Sequence, residues 1–186
     1  MERDKDRQIY ELTIIESLVP HNQRSPNLSN LSAKMDIMIN VATLWLINEK
    51  NELLLARRAD DKKQDPGLWG PSVTGKVEPG ETVEEALLKE TEEELSLIPN
   101  RYIPEFLFEK DFNHPDGETR RFSVYIARLP SSYTNELSLD KREVAEIKWL
   151  TINETKELIK NHKNIIVPSA ELLWNAFFDK LEQKLL

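Results

Sequence analysis

Between Gly75 and Leu97 the chain reads GKVEPGETVEEALLKETEEELSL, eight glutamates in 23 residues. A segment this acidic can pack against a core only if its charges are kept out of it. Where the glutamates fall around the helix is therefore the tightest constraint on the fold. Pro79-Gly80 is a turn pair, so the helix begins after it. Thr82 and Glu85 have the spacing of a capping box, in which each side chain satisfies the other's free backbone amide. The spacing predicts a helix from there to about Leu95. At about 100° per residue, with Glu90 at zero, Val83, Ala86, Leu87, Leu88, Leu95 and Leu97 fill one broad arc. Glu85, Lys89 and Glu92 lie opposite, where water belongs.

A solvated face is the ordinary state of a glutamate-rich helix. Here, however, Glu90 and Glu94 fall inside the apolar arc and Glu93 at its edge, so that Val83–Leu87–Glu90–Glu94–Leu97 forms one row. Turning an unpaired carboxylate inward costs several kcal/mol. The later half of a helix also disfavours negative charge, and three carboxylates on one turn repel. A cation is therefore expected at Glu90, Glu93 and Glu94. With oxygen ligands only and neither Cys nor His nearby, the hard ions Mg²⁺ or Mn²⁺ suit the set. An inward arginine, Arg57 or Arg58, is the structural alternative.

The rest of the composition narrows the class. The chain has 186 residues, enough for one domain with a core and an appended arm. A net charge of −8 argues against a nucleic-acid polymer as partner, because phosphate backbones need a basic face. It leaves room for small phosphates bound through divalent cations. Zero cysteines exclude disulfides, cysteine–zinc sites and thiol catalysis. No run reaches the length of a membrane helix, and residues 1–8 lack the apolar centre of a signal peptide, so a cytoplasmic location with no membrane partner is expected.

An arm at 1–34 holds a strand candidate over 9–15, and its loop, 20–30, carries two prolines. The remaining 35–186 reads as the main domain. Strands are expected over 37–47 and 53–58 as a hairpin, over 104–112 and 120–128 around a turn holding His114 and Asp116, and over 146–150. Residues 59–72 read as a loop, and helices are expected over 153–161 and 169–184. Strands mixed with separated helices give an α/β or α+β class, layered around one sheet. The three histidines, His21, His114 and His162, read as structural or exposed.

The Gly75–Leu97 stretch resembles the Nudix box: Gly, five residues, Glu, seven residues, then Arg-Glu-U-x-Glu-Glu-x-Gly-U, with U a bulky aliphatic. Gly75, Glu81, Glu90, Glu93 and Glu94 match; Lys89 stands for Arg, Thr91 for an aliphatic and Ser96 for Gly. The resemblance covers about residues 37–160 and implies an α/β/α sandwich around a mixed sheet. It also implies hydrolysis of a diphosphate linked to another group, commonly a nucleoside, with Mg²⁺ or Mn²⁺. Carried over, Glu90, Glu93 and Glu94 are the metal ligands, with the Gly75 carbonyl as a fourth. Glu81 orients the loop–helix junction through Lys89, a catalytic-site position where lysine lacks the fork of arginine.

On this reading positive side chains steady the phosphate oxygens. The candidates are Arg57, Arg58 and Lys76, with Arg57 favoured because it alternates with Leu53 and Leu55; Trp69 could stack on a ring. Glu90 is the first choice of general base, with Glu118 and Glu143 as later-loop alternatives. The stretch from Leu53 to Glu81 also resembles the Nudix relatives that isomerise isopentenyl diphosphate. Those need a catalytic cysteine, which this chain lacks, so hydrolysis of a prenyl-type diphosphate is the form in which that substrate fits. A non-catalytic phospholigand-binding module is the other alternative. The arm at 1–34 gives a homodimer as a further expectation, from family habit and an otherwise unpaired strand.

Overall fold

The computed structural model describes residues 38–113 and 117–185. The strand and self-association expected of the arm, His21, His114 and Asp116 lie outside these residues. Seven strands form one mixed sheet: β1 (Met38–Asn48), β2 (Glu52–Arg58), β3 (Trp69–Gly70), β4 (Val73–Lys76), β5 (Glu105–Asn113), β6 (Thr119–Leu129) and β7 (Val144–Thr151). Among the described residues four α-helices accompany them: α1 (Val83–Leu95), the single turn α2 (Ser131–Thr134), α3 (Ile152–Asn161) and α4 (Pro168–Leu185).

The order across the sheet is β3-β2-β1-β6-β5, with β4 pairing β1 and β7 pairing β2. β1 runs parallel to β6 along its whole length, from Met38↔Thr119 to Asn48↔Leu129. The other pairings are antiparallel. The β1–β2 turn is fixed by Asn48, whose Oδ1 accepts from the Lys50 and Glu52 amides, both at 2.9 Å. Asn51 takes φ 60°, a left-handed setting that asparagine tolerates.

β1 is buried from Val41 to Asn48 because both its faces are covered. Val41, Trp45 and Ile47 meet Trp174, Phe177 and Leu181 of α4 on one side, where Trp45 stacks on Phe177 at 4.8 Å. Ala42, Leu44 and Leu46 meet Ala86, Leu87 and Leu95 of α1 on the other. This is the expected three-layer sandwich around a mixed sheet.

The expected 59–72 loop is not wholly irregular, since it contains β3, and β4 follows at once. Among the described residues no helix is long and apolar enough to cross a membrane.

Candidate functional site

α1 starts where the capping box places it. Thr82 Oγ1 accepts from the Glu85 amide at 3.2 Å, and the Glu85 carboxylate accepts from the Thr82 amide at 2.8 Å. Thr91 is fully buried, yet costs little, because its hydroxyl donates to the Leu87 carbonyl one turn back at 2.7 Å. The helix closes on Ser96 in the left-handed conformation, φ 53°. Beyond it, the carbonyls of Glu94 and Leu95 accept from the amides of Asp140 and Ser138 at 3.1 and 3.0 Å. These are helix-end carbonyls that need outside donors. Supplying them ties the loop before β7, with Asp140 and Glu143, to the acidic turn.

The inward turn of the glutamates is realised unequally. Glu94 is only 8% exposed, Glu90 is half-buried and Glu93 is exposed. Burial, then the charge of Glu90, pushes the Glu94 carboxyl up to about 8, against the opposing pull of Arg58 and Lys62. Burial, then the charge of Glu93, also raises Glu90, with Lys89 opposing. Glu90 reaches the sheet because residue 75 has no side chain. A Cβ there would lie 2.1 Å from Glu90 Cγ and 2.8 Å from Oε1. Gly75 pairs with Ala42, so neither of the paired residues carries a large side chain. Glu81 accepts from the Glu78 amide at 3.1 Å and faces Lys89 Nζ at 3.7 Å, across the loop–helix junction.

Beside α1 opens a cavity of about 390 Å³, whose lining includes Arg58, Gly75, Lys76, Glu94, Glu118 and Glu143. A second cleft, over Glu90, Glu93, Glu94, Asp140, Arg142 and Glu143, shares Glu94 and Glu143 with it. Glu143 is held by Lys62 at 2.5 Å and Glu118 by Arg120 at 3.1 Å.

Two sequence expectations change here. Arg57 is turned away, bound to Asp60 at 2.6 Å and facing Glu146 at 3.6 Å, while Arg58 lines the cavity. Alternation grouped Arg57 correctly with Leu53 and Leu55, but those residues face α4. Leu54 faces α1, and Arg58 alternates with it. Trp69 is 7% exposed, belongs to the core on the α4 side and carries Lys148 over its ring at 4.7 Å, so it offers no stacking surface in the cavity. Arg120, which the sequence reading missed, also lines the cavity. Its signal is the alternation of Arg120 with buried Phe122 and Val124 along β6.

Among the described residues no three carboxylate or imidazole groups converge closely enough to chelate an ion as they stand. The donor set nonetheless suits a hard divalent ion. It offers oxygen atoms only, a buried carboxylate that no described donor reaches within hydrogen-bond distance, and a glycine that leaves room for a second carboxylate.

Comparison with known proteins agrees with the fold. A family model for the NUDIX domain matches residues 37–169. The chain is 35% identical over 117 residues to an isopentenyl-diphosphate Delta-isomerase of Brevibacterium linens, covering 61% of this chain and 62% of that protein. The match is thus less than two thirds of the relative's own length. The fold is similar to that of a MutT protein from Methanosarcina mazei, with TM-score 0.61, 20% identity, and 79% and 94% of the two chains covered. It is also similar to a Nudix hydrolase from M. smegmatis, with TM-score 0.60, 17% identity, and 78% and 85% covered.

Proposed function

The chain belongs to the Nudix family, and from that premise we propose that it is a divalent-metal-dependent hydrolase that cleaves the diphosphate bond of a nucleoside-linked or otherwise substituted diphosphate. The observation that carries the reading is Glu94, a carboxyl turned into the protein beside Glu90 that no described donor reaches within hydrogen-bond distance and that Arg58 and Lys62 compensate only in part. Glu90, Glu93 and Glu94, with the Gly75 carbonyl, would hold Mg²⁺ or Mn²⁺. Bringing them together needs rotation of the Glu93 side chain from solvent against its repulsion with Glu90.

When bound, the ion offsets the diphosphate charge and lowers the pKa of an attacking water. The chain's own residues supply the rest. Arg58 and Lys76, on the cavity wall, steady the non-bridging oxygens. Glu90, half-buried beside Glu93 and Glu94, takes the proton of the water. Glu143 and Glu118 serve less well, each engaged by a basic side chain. Glu81 and Lys89 hold the loop–helix junction in place.

A second reading concerns the group linked to the diphosphate. Ile39, Val41, Phe122, Val144 and Val167 give the cavity an apolar lining, which suits a short prenyl-type chain. The name of the Brevibacterium linens relative points to the same substrate class. An isomerisation that relies on a thiol has none here, with zero cysteines in the chain.

The test incubates the protein and Mg²⁺ with nucleotides, dinucleoside polyphosphates, nucleotide sugars and prenyl diphosphates, and follows phosphate after added phosphatase. Metal-dependent release from at least one member is expected, with Glu94→Gln lowering kcat at least about a hundredfold. Release that survives this change refutes the metal assignment. Metal binding without release from any member identifies a binding module instead.

A further inference from the structure

The carboxylate helix accounts for one wall of the cavity, and the face of β4 turned away from it makes another. Side chains alternate along a strand. Gly75 therefore faces Glu90 while Thr74 and Lys76, on either side of it, project to the opposite face and line the cavity. In the β1–β4 ladder Lys76 stands opposite Val41 and Thr74 opposite Thr43.

Thr74 Oγ1 is shielded from solvent and has no hydrogen-bond partner. The same holds for Thr43 Oγ1, so the facing pair leave each other unsatisfied. Elsewhere among the described residues the buried threonines are satisfied. Thr91 and Thr155 each donate to the carbonyl one helical turn back, at 2.7 and 2.9 Å. A strand offers no such carbonyl, because its own carbonyls point sideways into the ladder. Thr43 is fully buried and takes no part in lining the cavity, whereas Thr74 does. An unpaired buried hydroxyl is a standing free-energy cost that a suitably placed acceptor removes.

We propose that Thr74 is a ligand-binding residue whose hydroxyl, turned about χ1 from its shielded position into the cavity, donates to a non-bridging oxygen of the bound diphosphate, next to the ammonium of Lys76. The ligand class rests on the hydrolase reading above; the assignment of Thr74 rests on its own geometry. The diphosphate then lies across β4, with carboxylates on one side of the strand and two donors on the other. The apolar residues Ile39, Val41 and Phe122, on the same face as Thr74, lie beside the linked group.

The probe is imidodiphosphate, the non-hydrolysable nitrogen-bridged analogue of pyrophosphate, titrated calorimetrically with Mg²⁺ into wild type, Thr74→Val and Thr74→Ser. Loss of a hydrogen bond to a charged oxygen predicts about tenfold weaker binding by Thr74→Val. Thr74→Ser, which keeps the hydroxyl, stays within about twofold of wild type. Without ligand, Thr74→Val melts at or above the wild-type temperature, because an unsatisfied hydroxyl has become a methyl group. Equal binding by wild type and Thr74→Val overturns the assignment of Thr74 and leaves the hydrolase reading standing. A Thr74→Val melting point several degrees below wild type also overturns it, because the hydroxyl is then structural. No binding of imidodiphosphate by wild type in Mg²⁺ overturns both.

Discussion

Glu94 has a consequence that needs no substrate to measure. Its carboxyl titrates at about 8 in the fold against an ordinary value of 4.5, chiefly through burial. The folded state therefore favours the neutral form. The stability this contributes is complete below pH 4.5 and is lost as pH rises through about 8. In EDTA, the melting temperature should fall between about pH 5 and pH 8.5, and Glu94→Gln, which cannot ionise, should flatten that part of the slope. Added Mg²⁺ reverses the trend if it binds the ionised form, and calorimetry in two buffers should show a proton released on binding. The inward position of Glu90 and Glu94 was legible from helical geometry alone, because an apolar row interrupted by carboxylates is visible in one dimension. The choice between Arg57 and Arg58 was not. Alternation sorts side chains into two sets, but which set faces α1 depends on the register of β2 in a sheet assembled from distant segments.

Ser96 ends α1 at φ 53°, a backbone setting that costs about 1–2 kcal/mol for a residue with a Cβ. Ser96→Gly should therefore stabilise the protein by about 1 kcal/mol, read as a higher urea midpoint at unchanged m-value. The carbonyls of Glu94 and Leu95 are already satisfied by Asp140 and Ser138, so the change should leave the acidic turn in place. Longer elements were plain in the sequence because their hydrophobic period is sustained: β1, β2, α1, α3 and α4 begin and end within one residue of expectation. β3, of two residues, and β4, of four, carry too few alternations to be seen among glycines and prolines. They exist because β1 and β2 offer open ladder edges. The parallel β1–β6 pairing was equally hidden, since a contact between residues about 80 apart leaves no local pattern.

Across the described domain the sheet separates two tasks. The α4 side carries the large aromatic core, with Trp174 edge-on to Trp45 at 4.8 Å and Phe177 fully buried beside it. Phe177→Ala should lower unfolding free energy by about 3–5 kcal/mol, measured by chemical denaturation. Mg²⁺ affinity, measured well below the transition, should hold, because the Gly75–Glu90 contact lies on the opposite face. The division itself was readable in outline, as a chain with amphipathic helices before and after a set of strands must cover both faces. Its assignment, acidic helix on one side and aromatic helix on the other, required the topology. β4 belongs to both sides at once. Four residues of strand thus set the carboxylates on one face and the cavity's donors on the other, so that an exchange at Thr74 or Lys76 leaves every carboxylate in its place.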